Sequence, residues 1–494
     1  MTLLRKVIYT VPLIMLVTTI YGQDTINLDK RIDRLIPVRP NDSFIKTPDA
    51  PIGYHLVLKG SDHLPIVDST GRITTPLTAT KVQLYFQLFS AQSDTPYCDI
   101  SRSVVVPGKY KKNEGNSRPF VIPSLQEWHG GSGDFILKEK SKIVISRSER
   151  KTLRPLQMQL QREIKEQTGY LLKTSLGKPQ PGDIYLTLKE KDHSIGGEGY
   201  YFIINNSITI RATEYRGLFW GTRTLLQLLE SGNAIPKGIA RDYPQFRVRG
   251  FVLDVARKFF SMQFLRKYVK LLSYYKMNDF HIHLNDNGFK HYFGNNWDST
   301  YAAFRLENET YPGLTAKDGF YTKQDFRALQ KLADQYAVRI VPEIDVPAHS
   351  LAITKIVPSI GSKKYGMDHL DLHNPLTNTV VENVFKEYLS GSNPVFTGKV
   401  VDIGTDEYAK EDAEAFRAFT DRMIKYVQGF GKKVRLWGAL TWAKGTTPVT
   451  VKGVTMNACY NGYANPVDMK KLGYKLISTP DGWLYIVPAA GYYY

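Results

Sequence analysis

Phe251-Val252-Leu253-Asp254-Val255-Ala256-Arg257 reads as a buried strand ending in a charge, and Ser261 stands as the N-cap of an amphipathic helix over 262–275. The same unit then recurs. Strand-like runs at 279–284, 338–346, 399–403, 434–437, 454–457 and 475–478 alternate with helical patterns, the clearest at 322–336, 380–388 and 413–428. A further short run spans 483–487. Thr322 and Asp325 give the 322–336 helix a capping-box-like start. Strands joined by helices imply a parallel sheet, and this many predict an α/β fold with a (β/α)8 TIM-type barrel over 244–494.

Upstream the rhythm differs. Residues 119–243 mix strands (143–146, 184–188, 200–204, 207–211) with two helical stripes, Leu153/Leu156/Leu160/Ile164 and Leu218/Leu225/Leu229. That pattern predicts a small α+β domain. Alternating runs at 54–58 and 82–89, with a turn signal at Asp68-Ser69-Thr70-Gly71, predict a β-sandwich-like accessory domain over 45–118. Residues 23–44 read as a polar linker. Arg5 and Lys6 precede an apolar stretch over 7–20, and Gly22 offers a cleavage point, so 1–22 reads as a signal peptide. A periplasmic or extracellular location is expected, and no later segment is apolar enough to span a bilayer.

The 494 residues carry a formal charge of +18. The basic residues occur in short scattered runs such as Lys109-Tyr110-Lys111-Lys112, which fit solvated faces better than a nucleic-acid footprint. Two cysteines, Cys98 and Cys459, give no metal-ligand spacing and no disulfide framework. Neither metal nor cofactor nor nucleic acid is expected, and the composition is silent on oligomeric state.

In a barrel of this kind the chemistry sits at the C-terminal ends of the strands. Reading those ends gives Arg257, Asp286, His349, the pair Asp406-Glu407, and Trp437. Two carboxylates held together raise the pKa of one of them, which suits a group that donates a proton. Alone, the pair would read as a solvated acidic helix start. Four other functional strand ends make that the weaker reading.

These residues also carry a family resemblance. Leu253-Asp254-Val255-Ala256-Arg257-Lys258-Phe259-Phe260, the run His281-Ile282-His283-Leu284, Pro342-Glu343-Ile344-Asp345-Val346-Pro347-Ala348-His349 and Gly404-Thr405-Asp406-Glu407 resemble the successive strand motifs of family 20 glycoside hydrolases. Upstream, Ile122-Pro123-Ser124-Leu125-Gln126 and Arg216-Gly217-Leu218 resemble the α+β domain that precedes the barrel there. The resemblance covers about 120–487. It implies a β-N-acetylhexosaminidase acting on glycans or chitooligosaccharides with retention, the substrate's acetamido oxygen serving as nucleophile. Glu407 would be the general acid and Asp406 the partner of the acetamido group. Arg257 would bind ring hydroxyls, Asp286 and His349 would tune the acid, Trp437 would wall the acetamido pocket, and Tyr485 would bond the acetamido carbonyl. Glu343 and Asp345 would either support these groups or pair with Arg257, and at least one of His281 and His283 would be a core histidine.

The chain departs from the family's pattern at Asn285-Asp286-Asn287-Gly288, at Cys459-Tyr460, and at Val487, where an acidic sugar ligand is common. The family's eighth strand and the tryptophan that floors its sugar site have no counterpart before Tyr494. An incomplete barrel is therefore expected, in a fragment of a longer protein or a degenerate copy. An inactive carbohydrate-binding protein on the same scaffold is the alternative reading.

Overall fold

The computed structural model describes residues 37–111, 115–459, 462–480 and 483–488. The expected signal peptide, most of the expected linker and Tyr460 lie outside the described residues. The rest packs into two units that meet in sequence at Arg247 and Val248.

The first unit holds two sheets. Tyr54–Ser61, Thr80–Ser90 and Pro96–Val106 form a three-stranded antiparallel sheet. Val82, Leu84, Phe86 and Leu88 alternate onto its buried face, as the period of two requires. What covers that face is a loop carrying Ile66 and Val67, with Ile45 and Ile73 beside them. Within 45–118 the described residues form this one sheet under an apolar strap, where a β-sandwich-like pair was expected. Pro65 and Pro76 remove backbone donors from the strap, and Asp68 folds it by accepting from the amides of Thr70 (2.8 Å) and Arg72 (3.1 Å).

The second sheet has seven strands, in the order Glu127–Ile136, Ala234–Asp242, Tyr200–Ile204, Ile208–Ala212, Ile184–Thr187, Lys142–Ile145, Lys173–Leu176. Helices Arg150–Thr168 and Tyr215–Glu230 pack on it and on each other. Buried Arg241 bonds Glu127, Asp192 (2.7 Å) and the carbonyl of Pro65 (2.8 Å), pinning the strap of the first sheet to the second. The two accessory segments thus form one packed body.

The second unit is the barrel. Eight parallel strands lie in the order Lys475–Ser478, Val454–Ala458, Lys433–Trp437, Val400–Gly404, Arg339–Val346, Asp279–His283, Gly250–Asp254, Tyr485–Ile486. Helices Met262–Tyr274, Lys323–Gln335, Pro375–Leu389 and Ala413–Gly429 follow successive strands. The capping signals hold: Ser261 Oγ accepts from the Phe264 amide (3.2 Å) and Thr322 Oγ1 from that of Asp325 (3.0 Å). Leu265, Val269 and Leu272 press the first helix onto Phe280 and Ile282 in one continuous core. No helix among the described residues is long and apolar enough to cross a membrane.

The short run read at 483–487 supplies the eighth position: Tyr485–Ile486 lies parallel to the first strand, Val252 opposite Tyr485. Among the described residues no ladder joins this strand to Lys475–Ser478, and the (β/α)8 barrel remains incomplete there.

Gly404 ends the fourth strand with φ of 68°, and a Cβ there would stand 1.7 Å from Asp345 Oδ1. A left-handed residue with a side chain costs roughly 1–2 kcal/mol and overpacking another 1–3 kcal/mol. Gly404→Ala is therefore expected to destabilise the protein by about 2–5 kcal/mol in a denaturant titration. An unchanged midpoint would contradict this packing.

Candidate active site

The rim is built where the strands run out. Gly404, Thr405 and Glu407 have φ of 68°, 62° and 48°, and His349, beyond the third strand, has 53°. Non-glycine residues pay to stay left-handed, and such strain collects where geometry serves chemistry. Here it turns the side chains of Asp406 and Glu407 toward the same imidazole. His349 Nε2 stands 3.6 Å from Asp406 Oδ1 and 3.2 Å from Glu407 Oε2, while its Nδ1 meets Asp286 Oδ1 at 2.9 Å.

Behind these acids lies a buried chain of charges. Asp286 Oδ2 takes Arg257 Nη1 and His283 Nε2, each at 2.7 Å. The other side of His283 bonds Glu343 Oε2 at 2.7 Å. Glu343 Oε1 accepts from the Trp437 indole at 2.6 Å, which fixes that ring against the barrel wall. His281 stands 2.9 Å from Glu343 and 3.5 Å from Asp402, and Asp402 accepts from Asn457 at 3.1 Å. Arg257 also bonds Asp254 Oδ2 (2.8 Å) and the carbonyl of Asn287 (3.1 Å). Neither Glu343 nor Asp345 pairs with the arginine. Asp254 does, at the end of the first strand and three positions before Arg257.

Asp345 accepts from the Thr405 amide (3.2 Å) and lies 3.9 Å from His349, beneath the acid pair. Trp437 stacks on Tyr485, ring centres 5.4 Å apart at 19°, so an aromatic wall stands beside the acids. Val487 is buried, and its apolar side chain cannot act as a sugar-hydroxyl ligand. Asn285, noted in the sequence only as part of a departure from the family pattern, donates to the carbonyls of Asp345 (2.8 Å) and His349 (3.1 Å), joining the second and third rim segments.

The charges sort the acids. Burial pushes Asp406 up to about 7; His349 opposes the rise, and Glu407 and Glu343 add to it. Glu407 moves the other way, held below its ordinary value by its hydrogen bond to His349. Burial would also raise Asp286, but Arg257 and His349 outweigh it and keep it well below the carboxylate range. Burial opposes the charge on His349; Asp286 and Asp345 overcome this and hold the ring well above a normal histidine. Burial keeps the Tyr485 phenol well above 10, as a donor.

One atom stands out. Asp406 Oδ1 is buried yet has no hydrogen-bond donor among the described residues. A buried, unsatisfied acceptor costs about 1–3 kcal/mol, more for a charged group, so a ligand N–H at that point would be strongly favoured. Asp345, His349 and Asp406 bring atoms within 4.8 Å of one another, as do three deeper His/acid triads. In three of these groups the imidazole, His283 or His349, is held well above the ordinary histidine value by its acids.

A parallel barrel with paired acids, a guanidinium and an aromatic wall at its C-terminal rim has the architecture of a glycoside hydrolase. Residues 246–490 match the description "Glycosyl hydrolase family 20, catalytic domain", and residues 118–243 match "Glycosyl hydrolase family 20, domain 2". The chain belongs to glycosyl hydrolase family 20. It is similar to a Beta-hexosaminidase of Porphyromonas gingivalis, 25% identical over 61% of this chain and 40% of that protein. It is also similar to a Lacto-N-biosidase of Bifidobacterium bifidum, 25% identical over 74% of this chain and 33% of that protein. The chain thus spans well under half the length of these two relatives. The solved GH20 beta-N-acetylhexosaminidase from Streptomyces coelicolor A3(2) shares the fold, with a TM-score of 0.62 and 23% identity over 76% of this chain and 80% of that one.

Proposed function

We propose that the chain is an exo-acting, retaining hydrolase of terminal β-linked N-acetylhexosamine residues, working by substrate-assisted catalysis. The observation that carries this reading is the buried, unbonded Oδ1 of Asp406 beside the half-exposed Glu407. An acetamido N–H fits the first, and a glycosidic oxygen fits the second.

Glu407 passes its proton to the leaving oxygen as the C1–O bond breaks. The acetamido oxygen closes on C1, and the positive charge of the resulting oxazolinium ion falls beside Asp406. An anion aimed at developing positive charge stabilises the transition state more than the ground state. Water then opens the ring at C1 and gives its proton to the Glu407 carboxylate. Trp437 supports the acetamido methyl, and Tyr485 donates to its oxygen. Arg257, anchored by Asp254 and Asp286, presents its remaining N–H groups to ring hydroxyls. Asp286 and His349 set the charge around the proton donor. Glycans or chitooligosaccharides are the substrate class, and the apolar start of the chain supports action outside the inner membrane.

The test is hydrolysis of aryl N-acetyl-β-glucosaminides and galactosaminides by the full chain. Binding without turnover would replace the enzyme by a carbohydrate-binding protein on the same scaffold.

The acids also predict a pH profile. At rest the pair's one proton sits on Asp406, raised to about 7, with Glu407 ionised; the productive form is the minor tautomer, with that proton on Glu407 and Asp406 as the anion. Asp406, raised to about 7, sets the loss of that proton, and Glu407, below its ordinary 4.5, sets the gain of a second. Because the pair titrates as a unit, kcat/KM is expected to be bell-shaped, failing on the alkaline side near pH 7 and on the acid side below 4.5. A rate that stays level well above pH 7 would contradict the assignment.

A further inference from the structure

The strand Gly366–Leu370 lies in an excursion after the third barrel strand, and it touches both loops that carry the acids and their histidine. On one side, the Ser350 amide donates to the Asp368 carbonyl (2.9 Å) and the Leu370 amide to the Pro347 carbonyl (2.8 Å). These bonds bracket His349. On the other side, Tyr408 Oη donates to the Leu370 carbonyl (2.7 Å), and the Tyr408 ring lies 5.6 Å from that of His369. His369 Nε2 donates to the backbone carbonyl of Glu407 (3.3 Å), and its Nδ1 meets Asp368 Oδ1 at 2.8 Å.

Both partners of His369 are acceptors, the Asp368 carboxylate and the Glu407 carbonyl. The carbonyl it holds belongs to a residue in a costly backbone state, φ 48°. Such a state persists only when its surroundings over-determine it. Upstream the turn is tied at Thr405, whose amide donates to the Val346 carbonyl (3.0 Å), and the carbonyl of Glu407 is held by His369.

We propose that Asp368 and His369 form a positioning pair that fixes the backbone of Glu407 and thereby aims its carboxyl at the leaving oxygen. The pair acts through Glu407 and is not itself catalytic. This rests on the reading of Glu407 as proton donor.

The test uses the full chain and two substrates: a β-linked N-acetylglucosamine disaccharide, whose leaving alcohol needs protonation, and 4-nitrophenyl N-acetyl-β-glucosaminide, whose leaving group needs little. Misaiming a catalytic group by about 1 Å can cost roughly 100-fold. His369→Ala is therefore expected to lower kcat on the disaccharide by about 10–100-fold with little change in KM, and to lower the aryl rate far less. His369→Gln keeps an N–H that reaches the same carbonyl, and is expected to restore most of the disaccharide rate. Asp368→Asn should show a smaller loss with the same leaving-group bias.

Equal losses on both substrates, no loss in His369→Ala, or a His369→Gln as impaired as alanine would each make the pair a mere brace and overturn the proposal. If the alanine variant does not fold, the Gln and Asn variants decide by the same ratio of rates. Glu407→Gln runs alongside as a control. Disaccharide turnover surviving in that control would sink the proton-donor reading itself, a failure distinct from that of the pair.

Discussion

Glu407→Gln is expected to slow hydrolysis of an unactivated disaccharide by roughly 10²–10⁴-fold, the usual range for a positioned general acid. Glutamine has the shape of the glutamate and can still approach His349, but it carries no transferable proton. The leaving oxygen must then depart as an alkoxide. A nitrophenolate departs without help, so formation of the oxazolinium from an aryl glycoside should suffer less. The second step still needs a base for water, and the variant should stall there with the oxazoline formed. Glu407 is half exposed, so the substitution is expected to leave folding nearly unchanged. Steady-state kinetics on the two substrate types check this. Equal modest losses on both would remove Glu407 from its role.

Asp406→Ala should cost about 10²–10³-fold in kcat/KM, the scale measured when one group that stabilises transition-state charge is deleted. The loss should appear with good and poor leaving groups alike, because the oxazolinium charge develops in both. Binding of a stable thiazoline mimic should weaken by a similar factor, since the mimic presents the same charge and N–H geometry. Stability should move the opposite way. Burial works against the Asp406 anion, and Asp406 helps to push Asp345 well above the carboxylate range. Removing it relieves both, a site-for-stability exchange common in enzymes. A variant that loses rate but binds the mimic unchanged would contradict the assignment.

The barrel was legible in the sequence because strand-like and helical runs alternate regularly and its helices announce their starts. Ser261 and Thr322 cap as their positions predict. The outer strands Glu127–Ile136 and Ala234–Asp242 were not, because Gly130, Gly131, Gly133, Pro236 and Gly238 read as loop. Packing reverses that reading. A Cβ at Gly238 would stand 2.3 Å from the Trp128 ring and one at Gly130 2.0 Å from the Asn116 carbonyl, so these glycines mark close approach rather than a turn. The N-terminal alternation showed strands but could not show how many sheets they made.

The site was legible wherever position on the fold implied function. Arg257, Asp286, His349, Asp406, Glu407 and Trp437 follow from reading strand ends, and the structure brings them together with Tyr485. The partners of those residues were harder. Asp254 and Glu343 lie within strands, where period alone cannot say which acid meets which cation. Asp368 and His369 sit in an excursion with no strand-end position to mark them.

The most direct measurement replaces the acetamido group of an aryl β-glucosaminide by its mono-, di- and trifluoroacetyl analogues, and follows kcat/KM with the full chain. Fluorine drains electron density from the amide oxygen and leaves the leaving group untouched. Nucleophilic attack by that oxygen predicts a steep fall with each fluorine added. A series that stays flat would mean that the amide takes no part in bond making at C1.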